Sequence, residues 1–332
     1  MPFVRNIFFK ILYRIGILKT LLLSNRNKGK FPVLVFHKII PEYDEIWPGV
    51  HPLLFEEIIL LLKKHYIILP LDKLLTGTKE ELKNACFITF DDGYRDYLDY
   101  AYPILSRHNV PSAIFVLPYQ ISNKGHIWTS AVTFFIKHYS FAEINSYFTR
   151  LGLKINTKDP YNYFGLNLEI TRQLCKMKSH DRLKIVNELR AKFVADNRII
   201  ENELLSFNEL RSIDPNLTYI GSHSLTHPSF QVETDEGFIH YEMRLSKEII
   251  ESELKTKSDA FAFPFANWNT SSLNCAKKYF RICFTGLNKM VEINKIKSSP
   301  DELYNLHRFN VHHNSAEEVL FLINGFHSFF KK

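Results

Sequence analysis

Seven short apolar runs punctuate this chain, and stretches with helical spacing separate most of them. They are Val33–Phe36, Ala85–Phe90, Ser112–Leu117, Thr218–Gly221, Ala260–Phe263, Arg281–Phe284 and Leu306–Val311. Each is short enough for a strand and apolar enough to be buried. Helical spacing from about Phe55 to His65 and from Tyr94 to Arg107 fills two of the gaps. Such alternation predicts an α/β barrel or a parallel sheet. Folds of that kind place chemistry in the loops after strand C-terminal ends, which singles out the polar residues that follow each run. The stretch from about Gly125 to Arg198 breaks the rhythm, being long, aromatic, rich in lysine and mostly helical in pattern. It is expected to be a helical insertion over one face of the barrel.

The first 24 residues carry a different pattern. Val4, Ile7, Phe8, Ile11, Ile15, Leu18 and Leu22 recur at helical spacing, while Lys10 and Arg14 share another face. Basic residues at Arg5, Lys10, Arg14 and Lys19 interrupt the apolar run, which makes it a poor membrane span. No small-residue cleavage site follows, so a cleavable signal peptide is not expected and the location reads as cytoplasmic or membrane-associated. Residues 1–30 are expected to form a basic amphipathic segment that lies in a membrane interface or packs on the protein's own surface, ahead of one domain over residues 31–332. Lys and Arg total 42 against 35 Asp and Glu, a net charge of +7 that favours anionic surroundings. No zinc-finger spacing, helix-turn-helix pattern or RNA-recognition signature accompanies it, so nucleic acid is not an expected partner. With 332 residues, 45% of them hydrophobic, the chain can bury a large core, which argues against a disordered or fibrous protein. Cys86, Cys175, Cys275 and Cys283 form no CxxC pair and are expected to be buried free thiols.

Two of the strand ends carry residues suited to catalysis. In Thr89-Phe90-Asp91-Asp92-Gly93-Tyr94, adjacent carboxylates repel each other, so keeping both ionised calls for a cation. One can then bind metal while the other acts as a base, and Gly93 allows a sharp turn. A helix N-cap is the competing reading of the same aspartates. In Gly221-Ser222-His223-Ser224-Leu225-Thr226-His227-Pro228, two histidines four apart share one face if the segment makes a helical turn. Two imidazoles and one carboxylate are a common facial set for zinc and other divalent ions. Taken alone, the histidine pair is a weak signal, better explained by surface or core packing.

In combination, order and separation, these two segments resemble the first two motifs of the polysaccharide deacetylase family, the NodB-homology or carbohydrate esterase family 4 enzymes. The resemblance covers roughly residues 31–311 and implies an α/β fold of the distorted (β/α)7-barrel type. It implies that Asp91 is the general base and that Asp92, His223 and His227 hold one divalent metal ion, Zn2+ first, with Ni2+ or Co2+ as alternatives. The family's third motif, usually Arg-Pro-Pro-Tyr-Gly, stands here as Ala262-Phe263-Pro264-Phe265-Ala266. The family uses the backbone N–H at the tyrosine position as an oxyanion donor, which implies the Phe265 N–H, with Pro264 and Tyr94 completing that side of the site. The motif's arginine is absent, and Arg308 is expected to replace it, a surface salt bridge being the alternative. The family's usual Leu-x-His acid has poor counterparts in Leu306-His307-Arg308 and His312-His313. By contrast, Phe31-Pro32-Val33-Leu34-Val35-Phe36-His37 resembles the strand and histidine that open a circularly permuted branch, which includes deacetylases of poly-N-acetylglucosamine. His37, rather than His307, is therefore the expected acid. Trp128 and Trp268 are candidates for stacking on a sugar face, with core packing as the alternative.

The activity so implied is metal-dependent removal of an N-acetyl group from a sugar of a polysaccharide or lipid-linked glycan. A carbohydrate is the expected partner, and the basic N-terminal segment favours the lipid-linked kind with peripheral membrane contact through residues 1–24. Two alternatives stay open: a deformylase of a lipid-linked aminosugar, and a non-catalytic carbohydrate-binding barrel. The missing motif arginine and Ala266 favour the second, while the complete ligand set and its neighbouring aspartate speak against it.

Overall fold

The apolar runs form seven parallel strands: β1 (Val33–Phe36), β2 (Ala85–Phe90), β3 (Ser112–Val116), β4 (Thr218–Ser222), β5 (Ala260–Ala262), β6 (Ile282–Leu287) and β7 (Leu306–Asn310). Each pairs with the next in the chain, and β7 returns to β1, so the sheet closes into the expected seven-stranded barrel. The computed structural model describes residues 2–156, 159, 161–311 and 315–326. Most strand ends fall within a residue of expectation. The largest departure is β6, which runs three residues past Phe284 to Leu287.

Pleating sends alternate side chains to opposite faces of each strand, and here both faces are apolar. Ala85, Phe87, Ala113, Phe115, Ala262 and Phe284 belong to the cluster inside the barrel. Leu34, Phe36, Cys86, Ile88, Ile114 and Val116 pack outward against helices. The inward position on β4 is Gly221, where a Cβ would come within 2.5 Å of the Phe115 ring. Only glycine there lets that ring fill the barrel.

Helix Pro52–His65 starts with proline in its first turn and His51 as cap, three residues before the expected Phe55. The helix expected from Tyr94 begins only at Tyr97, and its first turn is wide, with the Tyr102 N–H donating to the Tyr97 carbonyl five residues back. Pro103 has no N–H to give the Asp99 carbonyl and its ring crowds that group, which opens the turn. Residues 94–96 are left in a loop in which Tyr94 bridges to Leu204.

Between β3 and β4 stand helices Trp128–His138, Phe141–Arg150, Tyr163–Leu174 and Ser179–Ala195. Their buried residues, among them Phe135, Phe148, Leu166, Leu189 and Phe193, continue the outer core of the barrel. At the N-terminus the single expected helix is two, Pro2–Arg14 and Ile17–Asn27, broken where Gly16 takes a left-handed conformation. The break divides the expected apolar face. Leu18 and Leu22 are buried, as is Phe9, whose ring packs 5.6 Å from Phe321, whereas Val4, Ile7, Phe8, Ile11 and Ile15 lie open to solvent. Arg5 pairs with the buried Glu318 of the closing helix Ala316–Ile323. No helix among the described residues is long and apolar enough to cross a membrane. All four cysteines are buried and free.

Candidate active site

Parallel strands finish at the same rim, so the residues that follow them converge there. His37 follows β1, Asp91 and Asp92 follow β2, His223 follows β4, and Pro264 and Phe265 follow β5 within three residues. The register pairing Phe36 with Phe90 sets His37 alongside Asp91, whose N–H donates to the Phe36 carbonyl at 3.0 Å. The two aspartates cap no helix, because the following helix starts five residues after Asp92.

Asp92, His223 and His227 are all buried, and one ligand atom from each lies within 4.8 Å of the others. Asp92 Oδ1 stands 3.4 Å from His223 Nε2 and 3.3 Å from His227 Nε2. The His223 Nδ1 lies 2.8 Å from the Ala262 carbonyl, which only accepts, so Nδ1 carries the hydrogen. Burial pushes the His223 imidazole down to about 4, against the pull of Asp91, so at neutral pH its Nε2 presents a lone pair. Burial alone pushes Asp92 up, but His227 and His223 outweigh it and hold the carboxylate well below its ordinary range. The His223 Nε2 lone pair therefore faces the buried Oδ1, an atom without a hydrogen-bond partner. A cation between them relieves that repulsion. Two imidazoles and a carboxylate with one ring fixed through its far nitrogen are the donor set of a divalent metal site, and the residues fit such an ion.

The histidines meet without forming a helical turn. Ser224 and His227 have φ of 72° and 66°, and Asp92, Phe265 and Ala266 are also left-handed at 74°, 59° and 53°. Non-glycine residues in that region cost on the order of 1–3 kcal/mol each and persist where the surroundings impose them. Here Glu242 of helix Glu236–Leu254 imposes the loop. Its carboxylate accepts the Leu225 N–H at 3.0 Å, the Thr226 N–H at 2.9 Å and the Thr226 hydroxyl at 2.5 Å. Ser224 Oγ then accepts the His227 N–H at 3.1 Å. Burial raises the Glu242 carboxyl to about 7.

Arg308 rises from inside β7 and meets Asp91 with both terminal nitrogens, at 2.7 and 2.6 Å, and also donates to Thr89 Oγ1 at 3.1 Å. Its guanidinium lies 4.9 Å from the Phe284 ring centroid and 5.6 Å from that of Phe115, so the top of the barrel's apolar filling is its floor. Burial pushes Asp91 up, but Arg308 and His223 reverse that and leave it below its ordinary range. Each carboxylate oxygen has two lone-pair directions, and the fork occupies one on each.

These groups share a cavity of about 970 Å³ with His37, Tyr94, Phe265 and Asn310. The Phe265 ring packs edge-on to His227 at 4.6 Å, and among the described residues no acceptor takes its N–H. Burial and the Asp92 charge push the Tyr94 hydroxyl well above its ordinary value, against a smaller pull from Ser130 of the helical segment. Pro264 is buried behind the turn and does not reach the cavity. His307 is not in it either. It packs against Gly286 beside a separate small crevice, since neighbours along a strand face opposite ways and Arg308 faces in. His312 and His313 lie outside the described residues. Neither tryptophan named as a sugar platform lines the cavity: Trp128 is buried with its Nε1–H on the His227 carbonyl, and the Trp268 N–H bonds the Thr285 carbonyl. Trp47, which sequence reasoning missed, does line it, edge-on to His37 at 6.1 Å. Its signal was only its place in the loop after β1. Glu242 carried none.

Comparison with known proteins agrees with the fold. The polysaccharide deacetylase family profile matches residues 78–135 and 185–280 and skips most of the four-helix segment. YxkH of Bacillus subtilis is 37% identical over 54 residues, a stretch that spans 16% of this chain and 19% of that relative. Among solved structures, the Streptococcus pyogenes deacetylase PplD in complex with acetate superposes with a TM-score of 0.58 at 16% identity, covering 89% of this chain and 98% of PplD. A polysaccharide deacetylase from Bacillus cereus gives 0.57 at 18%, covering 89% of this chain and 69% of that one. IcaB from Ammonifex degensii gives 0.54 at 13%, covering 89% and 97%.

Proposed function

Because this chain belongs to the polysaccharide deacetylase family, we propose that it is a metal-dependent hydrolase that cleaves the linear amide bond of an N-acetylated sugar in a polysaccharide or lipid-linked glycan. The observation that carries the reading is the buried Asp92 Oδ1, unpartnered and within 3.4 Å of two imidazole nitrogens, beside a second carboxylate outside that set. Asp92, His223 and His227 would hold the ion, with Zn2+ preferred to Ni2+ or Co2+. Such an ion supplies Lewis-acid polarisation of the acetyl carbonyl and makes nearby water more acidic.

The chain's own groups then divide the remaining work. Asp91, kept ionised by Arg308, takes the proton of the attacking water on a lone pair that the fork leaves free. Arg308 is a positioning residue: it fixes both Asp91 oxygens and touches no reacting atom. The free Phe265 N–H donates to the oxyanion, an interaction that typically contributes a few kcal/mol. The amide nitrogen cannot depart as an anion at neutral pH, so it needs a proton, and His37, at the end of the strand that neighbours β2, supplies it. The open strip of Val4, Ile7, Phe8 and Ile11, with Lys10 and Arg14 beside it, supports contact with an anionic membrane surface.

Acetate and formate release should be measured from N-acetylated and N-formylated oligosaccharides and lipid-linked aminosugars, alongside binding of each. Acetate release supports the reading. Formate release alone would make the protein a deformylase, and binding without either product would make it a carbohydrate-binding barrel.

A further inference from the structure

The helices between β3 and β4 give one side of the cavity a charge that a neutral glycan does not need. Lys137, Arg172, Lys176 and Arg198 all line it. Among the described residues none of the four forms an ion pair with a carboxylate. The other basic residues of the cavity are neutralised, Lys38 by Glu203 at 2.6 Å and Arg308 by Asp91. The acids left facing the space are Asp92, Glu201 and Asp44, and Asp44 already accepts the N–H groups of Ile46 and Trp47.

The four cations fall into two pairs. Arg172 lies in the last turn of helix Tyr163–Leu174 and Lys176 in the turn that follows it, and both line the same cavity. Arg198 donates to the carbonyl of His138, the neighbour of Lys137, which brings the second pair together. Isolated surface cations are solvated and need no partner. Lys137, Arg172 and Lys176 are exposed and Arg198 is half-buried, and an anion held among the four meets several positive donors at once. An arginine fork with an adjacent ammonium suits a tetrahedral dianion better than a single carboxylate.

We propose that this wall recognises a phosphoryl group, so that the acetylated sugar accepted by the site is joined to a phosphate or diphosphate. This rests on the deacetylase reading above and narrows its substrate class. Two sources share the chemistry, a soluble nucleotide sugar and a sugar on a polyprenyl diphosphate.

The test compares acetate release from a neutral N-acetylglucosamine tetramer, uridine diphosphate N-acetylglucosamine and a micellar polyprenyl diphosphate N-acetylglucosamine. It uses the wild type, Arg172→Gln/Lys176→Gln and Lys137→Gln/Arg198→Gln, with inorganic pyrophosphate binding measured separately by calorimetry. Both double variants should lower the ratio of kcat/KM for a phosphoryl substrate to that for the tetramer by about tenfold, mainly through KM. Pyrophosphate binding should weaken by a similar factor in both. The source is whichever phosphoryl substrate the wild type prefers. A wild type that favours the neutral tetramer, or variants that leave the ratio and pyrophosphate binding unchanged, would overturn the proposal while the deacetylase survives. If nothing releases acetate but pyrophosphate binds wild type and not the variants, the anion wall stands and the deacetylase reading falls.

Discussion

Arg308 and Glu242 are the two residues on which the site's geometry turns, and neither touches a reacting atom. Removing one partner of a buried ion pair leaves the other charged and unsolvated, which typically costs 3–5 kcal/mol. Arg308→Met should therefore lower stability by roughly that amount and, by releasing Asp91, reduce kcat well beyond what the stability loss explains. A denaturation curve and a steady-state assay on the same preparation would show both effects. Arg308→Lys should recover part of the stability but little of the turnover, since an ammonium cannot hold both Asp91 oxygens. Glu242 acts through the histidine loop. Glu242→Ala should weaken metal retention by about 10–100-fold, the usual scale for losing a group that orients a ligand, read by competition with a chromogenic chelator. A variant that binds metal as tightly as the wild type would show that the left-handed turns at Ser224 and His227 hold without it.

At the scale of elements, most strands were legible because burial on both faces makes a strand apolar throughout, as in Val33–Phe36 and Ala85–Phe90, whereas Leu306–Asn310 carries His307 and Arg308 and was placed by its position in the alternation. The acidic turn was legible because two adjacent aspartates before a glycine are chemically costly without a purpose. The Glu242 contact was not, because a glutamate in Tyr-Glu-Met-Arg looks like any helix surface until the helix is docked. Nor was the wide turn at Tyr97, which depends on where Pro103 meets a carbonyl rather than on composition. The N-terminal face misled for a similar reason: periodicity marks which residues are apolar, not which are covered. Phe9 is covered and Ile11 is not. Phe9→Ala should cost about 3–5 kcal/mol by leaving a hole under Phe321. Ile7→Glu/Ile11→Glu should leave the melting temperature nearly unchanged and abolish sedimentation with anionic vesicles. If that double variant still sediments, the open strip is not a membrane contact.

For the whole molecule, one barrel rim gathers groups from β1, β2, β4, β5 and β7, so closure of the sheet is what makes the chemistry available. The resemblance named Asp92, His223 and His227 as candidate ligands before any geometry, but it could not give the Arg308–Asp91 pair its physical form, a fork resting on Phe115 and Phe284. The central claim is that Asp92, His223 and His227 hold an ion while Asp91 stays outside the set. The most direct measurement is the metal content per chain of Asp91→Asn and His223→Ala, purified alongside the wild type and assayed for acetate release. The account expects about one equivalent of metal and almost no turnover in Asp91→Asn, and neither metal nor turnover in His223→Ala. A fully active Asp91→Asn, or a His223→Ala protein that keeps its metal and its rate, would contradict it.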